Sequence, residues 1–298
     1  MKSIGREEVI FSFRPGLPAV AEVDPGERFQ VAVRDGFNEN ITSEDDTLDD
    51  LDWDRLAPAT GPIAVSGAEA GDTLKVEVHG IELDDRGSMV TIPGAGCFGD
   101  ELEEASTRIV PIENGRAVFR DDIELRLNPM IGVMGTMPSD VEIDTGNPGP
   151  HGGNMDVKKL GEGSTLYLPV FEEGGKLALG DMHAVMGDGE VSICGVEIGG
   201  RVTMAVYLIK DRQRSWPVLE TDEHWYIVAS HEELPEAVDL ALGSLYDFME
   251  EKTPLDRGEI VSLMSIAGEV EICQLVNPRS TVRAGISKKS LKSFDIRF

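Results

Sequence analysis

The residues with the densest chemistry in this 298-residue chain lie in Gly180–Glu190, GDMHAVMGDGE. Asp181 and His183 are two apart, so on an extended strand both side chains point to one face. Asp188 and Glu190 repeat the spacing after Gly187. A histidine among carboxylates is the donor set of a hydrolytic zinc site, where three protein ligands leave a position for water. Bound zinc lowers the pKa of that water to ~7 and polarises a carbonyl, while a nearby carboxylate moves the proton. Upstream, GPHGGNMD carries His151, Asn154 and Asp156 among turn-forming residues, and Gly152 and Gly153 let the backbone approach a ligand closely. Asp156, Asp181, His183 and Glu190 supply two or three ligands and a base. Asn154, or the amides of Gly152 and Gly153, can stabilise an oxyanion. Carboxylates and amide oxygens suit calcium as well. Spacing alone leaves a competing reading open, with Asp188-Gly189 a hairpin corner and Glu190 a solvent-facing strand residue.

Other reactive side chains offer less. His79 falls on the wet face of an alternating strand, and His224 and His231 flank a strand in acidic surroundings. Cys97 sits in the glycine-rich loop PGAGCFG without an identifiable base, and no GxSxG elbow is present. That loop also lacks the phosphate-binding pattern GxxxxGK[ST].

The elements that must position these groups read as mainly β. Short strands broken by Pro-Gly turns fill the first third, followed by a polar, acidic loop over 38–62 that can cap a site, with a helical turn at Thr47–Leu56. GPIAVSGAEAGDTLKVEVHGIELDDRG alternates as sheet with one wet face. RIVPI, RAVFR and IELRL continue the pattern, and RVTMAVYLIKDRQ is a strong strand. Two apolar runs, LYLPVFEEGGKLALG and VSICGVEIGG, flank the polar stretch as strands. Helical periodicity is convincing only over Pro235–Lys252 and Asp256–Ala267, the second opening on Asp256-x-x-Glu259. We expect a β-rich core over 1–220 that carries the site and an α+β portion over 221–298 packed on it.

Composition narrows the partners. With 27 basic against 55 acidic residues the net charge is −28, a field that repels nucleic acid and anionic membranes. No run approaches the ~18 apolar residues of a membrane helix, and no signal peptide is recognisable, so a cytoplasmic location is expected. An even coat of carboxylates with little lysine points to a halophilic source. Three cysteines without a CxxC support neither a disulfide framework nor a four-cysteine zinc site.

Taken together, GPIAVSGAEAGDTLKVEV, PGPHGGNMD, GSTLYLPVFEEGGKLALGDMHAVMGDGE, WPVLET and VEICQLVNP resemble the acetamidase/formamidase family over nearly the whole chain. The resemblance implies hydrolysis of formamide, acetamide or similar short aliphatic amides to ammonium and carboxylate. It implies zinc, in some members with calcium, and a cytoplasmic homo-oligomer, a dimer or larger. It also implies a jelly-roll-like β-sandwich, here with an additional β-barrel-like sheet and the C-terminal α+β portion. Carried over residue by residue, it makes His183, Asp156, Asp181 and Asp35 metal ligands and Glu190, Asp181 and Asn154 catalytic, with His151, Gly152 and Gly153 against substrate. Asp35-Gly36-Phe37 departs from the family in having glycine where a larger residue is expected. That departure keeps open a urea- or guanidine-like substrate. A non-catalytic binding sandwich is the remaining alternative.

Overall fold

The computed structural model describes residues 1–46, 51–294 and 296. The chain is mainly β, with two large sheets that contribute to one core. The first has nine strands, ordered in space Lys2–Ile4, Arg28–Val33, Gly200–Ile209, Thr73–Leu83, Thr165–Pro169, Val218–Glu220, His224–His231, Ser280–Ser287 and Gly268–Gln274. The second has eleven, including the meander Arg86–Thr91, Ser106–Glu113, Arg116–Arg120 and Ile123–Arg126 that the alternating sequence announces. Inward-facing residues of both sheets, among them Val31, Val76 and Val202 on one and Ile131, Leu179 and Met182 on the other, join in a single buried cluster. That is a sandwich, built from the period-2 alternation of half-buried strands.

Two helices, α1 (Leu234–Lys252) and α2 (Arg257–Ala267), come from the periodic segments. The apolar stripe of α1 (Ala237, Ala241, Leu245, Phe248 and Met249) packs across His224–His231 and Ser280–Ser287. The sheet passes through residue 220 without a break, because Val218–Glu220 and His224–His231 form a hairpin within it. Asp256 caps α2 with a full capping box: its side chain accepts from Glu259 N, and Glu259 accepts from Asp256 N. Thr47–Leu56, read as a helical turn, falls partly outside the described residues; its described part, 51–56, holds a 3-10 turn at Trp53–Arg55. No helix among the described residues is long and apolar enough to cross a membrane.

The strand that carries the site, Leu177–His183, is buried throughout. On one side it pairs with Met130–Thr136, which pairs in turn with Gly152–Asn154. On the other it meets Glu197–Ile198, in a register that sets His183 opposite Glu197. Sheet pairing therefore brings four separate stretches of chain to one place. VSICGVEIGG does not form the long flanking strand its apolar character suggests: only Glu197–Ile198 pairs with the site strand, Gly200 already opens the next strand, and the residues before Glu197 are irregular.

Candidate active site

His183 is 1% exposed and lies at the centre of the constellation. Its Nε2 is 2.8 Å from Glu197 Oε1, 3.8 Å from Glu190 Oε1 and 3.9 Å from Asp181 Oδ1. Two overlapping triads share the imidazole, Asp156–His183–Glu190 and Asp181–His183–Glu197, each with ligand atoms within 4.8 Å of one another and every member buried. This is a buried Asp/His/Glu cluster that could bind a metal.

Three further observations fit a cation there. Neither ring nitrogen of His183 has a hydrogen-bond partner, and the short approach to Glu197 lacks donor geometry; Glu197 Oε2 is likewise unpartnered. Buried polar atoms are seldom left so. Next, the backbone gives way to the side chains. A Cβ on Gly36 would lie 2.3 Å from Asp181 Oδ1 and 2.4 Å from Glu197 Oε2, and one on Gly132 2.4 Å from Asp156 Oδ1. Gly195 would place a Cβ 2.8 Å from His183 Cγ. Finally, Asp156, Asp181 and Glu190 all have positive φ, at 47°, 54° and 46°. Non-glycine residues pay a strain cost in this region and hold it where the surroundings over-determine them. Asp181 therefore breaks the extended geometry by which it and His183 would share a strand face. They converge by a local kink instead.

Packing so many carboxyls away from water favours their neutral forms. Burial, then repulsion from Asp181, raises Asp156; burial, then repulsion from Asp156 and Glu197, raises Glu190 well above the usual range. Asp181 is also raised well above it, by burial and then by Glu197. Glu197 is pushed up to about 8, foremost by burial. Divalent charge would reverse this balance, since ligands bind a metal deprotonated.

Asn154 faces this cluster. In the amide orientation that satisfies both ends, its nitrogen donates to Asp156 Oδ2 and Asp181 Oδ2, each at 3.1 Å, and its oxygen accepts from Asn277 Nδ2 at 3.2 Å. Asn277 Nδ2 also donates to Asp156 Oδ2 at 2.7 Å. Asp181, Glu190, Glu197, Asn154 and Asn277 line a cleft of about 670 Å³, whose rim includes the glycine-rich loop at Gly94–Gly96.

The other residues singled out by sequence lie around this centre. Asp35 is outside both triads; its carboxylate accepts from Glu39 N at 2.8 Å in a separate cavity, and burial pushes it up to about 6. His151 is buried edge-on to Phe13 with both nitrogens unpartnered, and burial followed by Arg279 holds it down at about 4. Gly152 and Gly153 adopt φ of 97° and 78°. The cleft lining includes Asn147 and Asn154, but none of the three residues from His151 to Gly153. Asp188 leaves the cluster altogether. It forms two bonds to the fully buried guanidinium of Arg283, at 2.7 and 2.9 Å, and an ion pair with Lys158. Sequence reasoning missed Glu197 and Asn277. The signal for Glu197 was a single carboxylate inside an apolar run.

A sandwich with a buried histidine–carboxylate cluster at the foot of a cleft defines a candidate metal-site protein. A sequence profile of the Acetamidase/Formamidase family matches residues 6–147 and 142–227, and the chain belongs to that family. It is 28% identical to a formamidase of Methylophilus methylotrophus, with 69% of this chain and 65% of the relative covered, so the match spans slightly under two thirds of that enzyme's length. An acetamidase of Mycolicibacterium smegmatis is 29% identical, with 69% of this chain and 67% of the relative covered. Two crystal structures superpose over nearly the whole length. The acetamidase from Bacillus halodurans has a TM-score of 0.96 at 39% identity, covering 99% of this chain and 100% of its own. A predicted acetamidase/formamidase from Thermoanaerobacter tengcongensis has 0.97 at 40%, covering 100% and 99%.

Proposed function

We propose that this chain is a metal-dependent amidase that hydrolyses small primary amides, formamide and acetamide among them, to ammonium and carboxylate. The observation that carries the reading is the buried, unpartnered His183 among four carboxylates at a cleft. Membership of a family with relatives named formamidase and acetamidase supports it.

His183, Asp181 and Glu197 would hold the ion, since Nε2 offers one lone pair and approaches Glu197 most closely. Zinc suits a set containing imidazole, and calcium would use the carboxylates alone. When bound, the ion would supply Lewis acidity and lower the pKa of water toward neutrality. Asp156 keeps its carboxylate toward Glu190, and Asn154 and Asn277 fix its orientation. Asp35, in neither triad, acts on Asp181 and Glu197 through its charge rather than as a ligand.

In the reaction, water adds to the amide carbon, the C–N bond breaks and the leaving nitrogen needs a proton. Glu190, in the cleft and with its pKa raised by burial and then by neighbouring carboxylates, takes the proton from the attacking water and returns it to that nitrogen. The experiment separates these roles. His183→Ala should lose both bound metal and ammonia release from formamide. Glu190→Gln should keep the metal and lose roughly 10²–10⁴ in kcat. Loss of metal in Glu190→Gln would reassign that residue to the ligand set.

A further inference from the structure

The cleft is far larger than formamide or acetamide requires. At about 670 Å³ it falls in the range that ordinarily buries a drug-sized ligand. Formamide and acetamide have only a handful of heavy atoms and fill a small part of it. The polar groups described above occupy one part of the lining. The lining also carries Phe11, Phe37, Trp53, Leu56, Ile193 and Val276, of which Phe37, Leu56 and Ile193 cluster together.

That apolar wall is built into the fold. Phe37, Leu56 and Ile193 belong to a small satellite core with Ile41, Leu51, Val90 and Cys194, so packed side chains back the wall. Phe11 is held by the guanidinium of Arg55, 4.8 Å from the ring centroid. Ile193 has a φ of 106°, which a β-branched residue rarely adopts, and it does so between the cleft and this cluster. Trp53 is 56% exposed in the lining of the same cleft, so its ring is open to whatever enters. Gly36 links the two parts: it lies against Asp181 and Glu197 and precedes Phe37, so the apolar wall begins directly beside the carboxylates.

We propose that the preferred substrates are primary amides whose acyl group is apolar and larger than acetyl, branched or aromatic. The acyl group packs on Phe37, Leu56, Ile193 and Trp53 while the amide lies among the carboxylates. The assignment rests on the amidase reading. Each methylene placed in a matched apolar pocket raises kcat/KM by roughly tenfold or more, so a wall of this size imposes a measurable order on an amide series.

The test measures ammonia release by the full-length protein from formamide, acetamide, isobutyramide and phenylacetamide. Calorimetric binding of acetamide and phenylacetamide to chelator-treated protein gives a second readout. The expected result is a kcat/KM for isobutyramide or phenylacetamide at least about ten times that for acetamide, with the same order in binding. Trp53→Ala, which removes an exposed side chain, and Ala95→Trp, which fills the cleft from a loop, should each lower the phenylacetamide-to-acetamide ratio by about tenfold. Formamide or acetamide as the fastest substrate would overturn the size preference and leave the amidase reading standing. An unchanged ratio in both variants would overturn the placement of the acyl group. No ammonia from any amide would overturn the amidase reading and this assignment with it.

Discussion

At the scale of the residue, the account turns on protons and a cation competing for the same carboxylates. In the metal-free protein Glu197 is pushed up to about 8 from its usual 4.5, and Asp156, Asp181 and Glu190 are raised as well. A carboxyl with a folded pKa above its unfolded one binds more protons in the folded state over the interval between them. Its contribution to stability is complete below the unfolded value and is lost as pH rises through the folded one. The Tm of chelator-treated protein should therefore fall between about pH 5 and about pH 8, and zinc should flatten that fall by replacing the protons. A Tm that climbs with pH in the chelated protein contradicts this. His183, Asp181 and Glu190 were legible in the sequence because a histidine and carboxylates recur there at short spacing, and Asp156 because it closes the turn-rich GPHGGNMD. Glu197 was not, since its neighbours are apolar and the pairing that sets it opposite His183 is non-local. Asp188 looked equivalent to Glu190, yet it is claimed by Arg283, 95 residues away.

At the scale of the element, the helices were the easiest to read. The 3.6-residue apolar stripe of α1 and the Asp256/Glu259 pair of α2 are local signals, and both appear with nearly the expected bounds. Asp256→Ala should cost about 1 kcal/mol by removing the cap. Phe248→Ala, which empties a site packed against Trp225 at 5.5 Å, should cost about 3–5 kcal/mol. Both are measurable by denaturant unfolding, and metal content should stay the same in each. The segment before Glu197 was misread because a strand pattern cannot reveal that Gly195 must lie against the His183 ring, or that Ile193 takes a positive φ. The loop that carries Glu190 is tied to Ser280–Ser287 through the Asp188–Arg283 pair. Asp188→Asn should lower stability by about 2 kcal/mol, discounted from the fully buried case because Asp188 is partly exposed. Stability unchanged in that variant would show that the pair does not anchor the loop.

At the scale of the whole molecule, mainly-β character was legible from alternation and turns, but sheet order was not. The site assembles from Gly152–Asn154, Leu177–His183 and Glu197–Ile198 because Met130–Thr136 runs between the first two, a neighbour relation that no single segment encodes. The net charge of −28 is a global property with a global test. Screening shortens from ~10 Å at 0.1 M salt to ~3 Å at 1 M, so Tm should rise with sodium chloride across that range as self-repulsion weakens. A flat or falling Tm would remove the case for a halophilic adaptation. The central claim remains that the cluster around His183 binds a divalent metal on which amide hydrolysis depends. Metal content and ammonia release, followed together through chelation and zinc addition, test it most directly. The account predicts bound metal in the purified protein, loss of ammonia release on chelation and recovery with zinc. Full ammonia release from protein stripped of metal would contradict it.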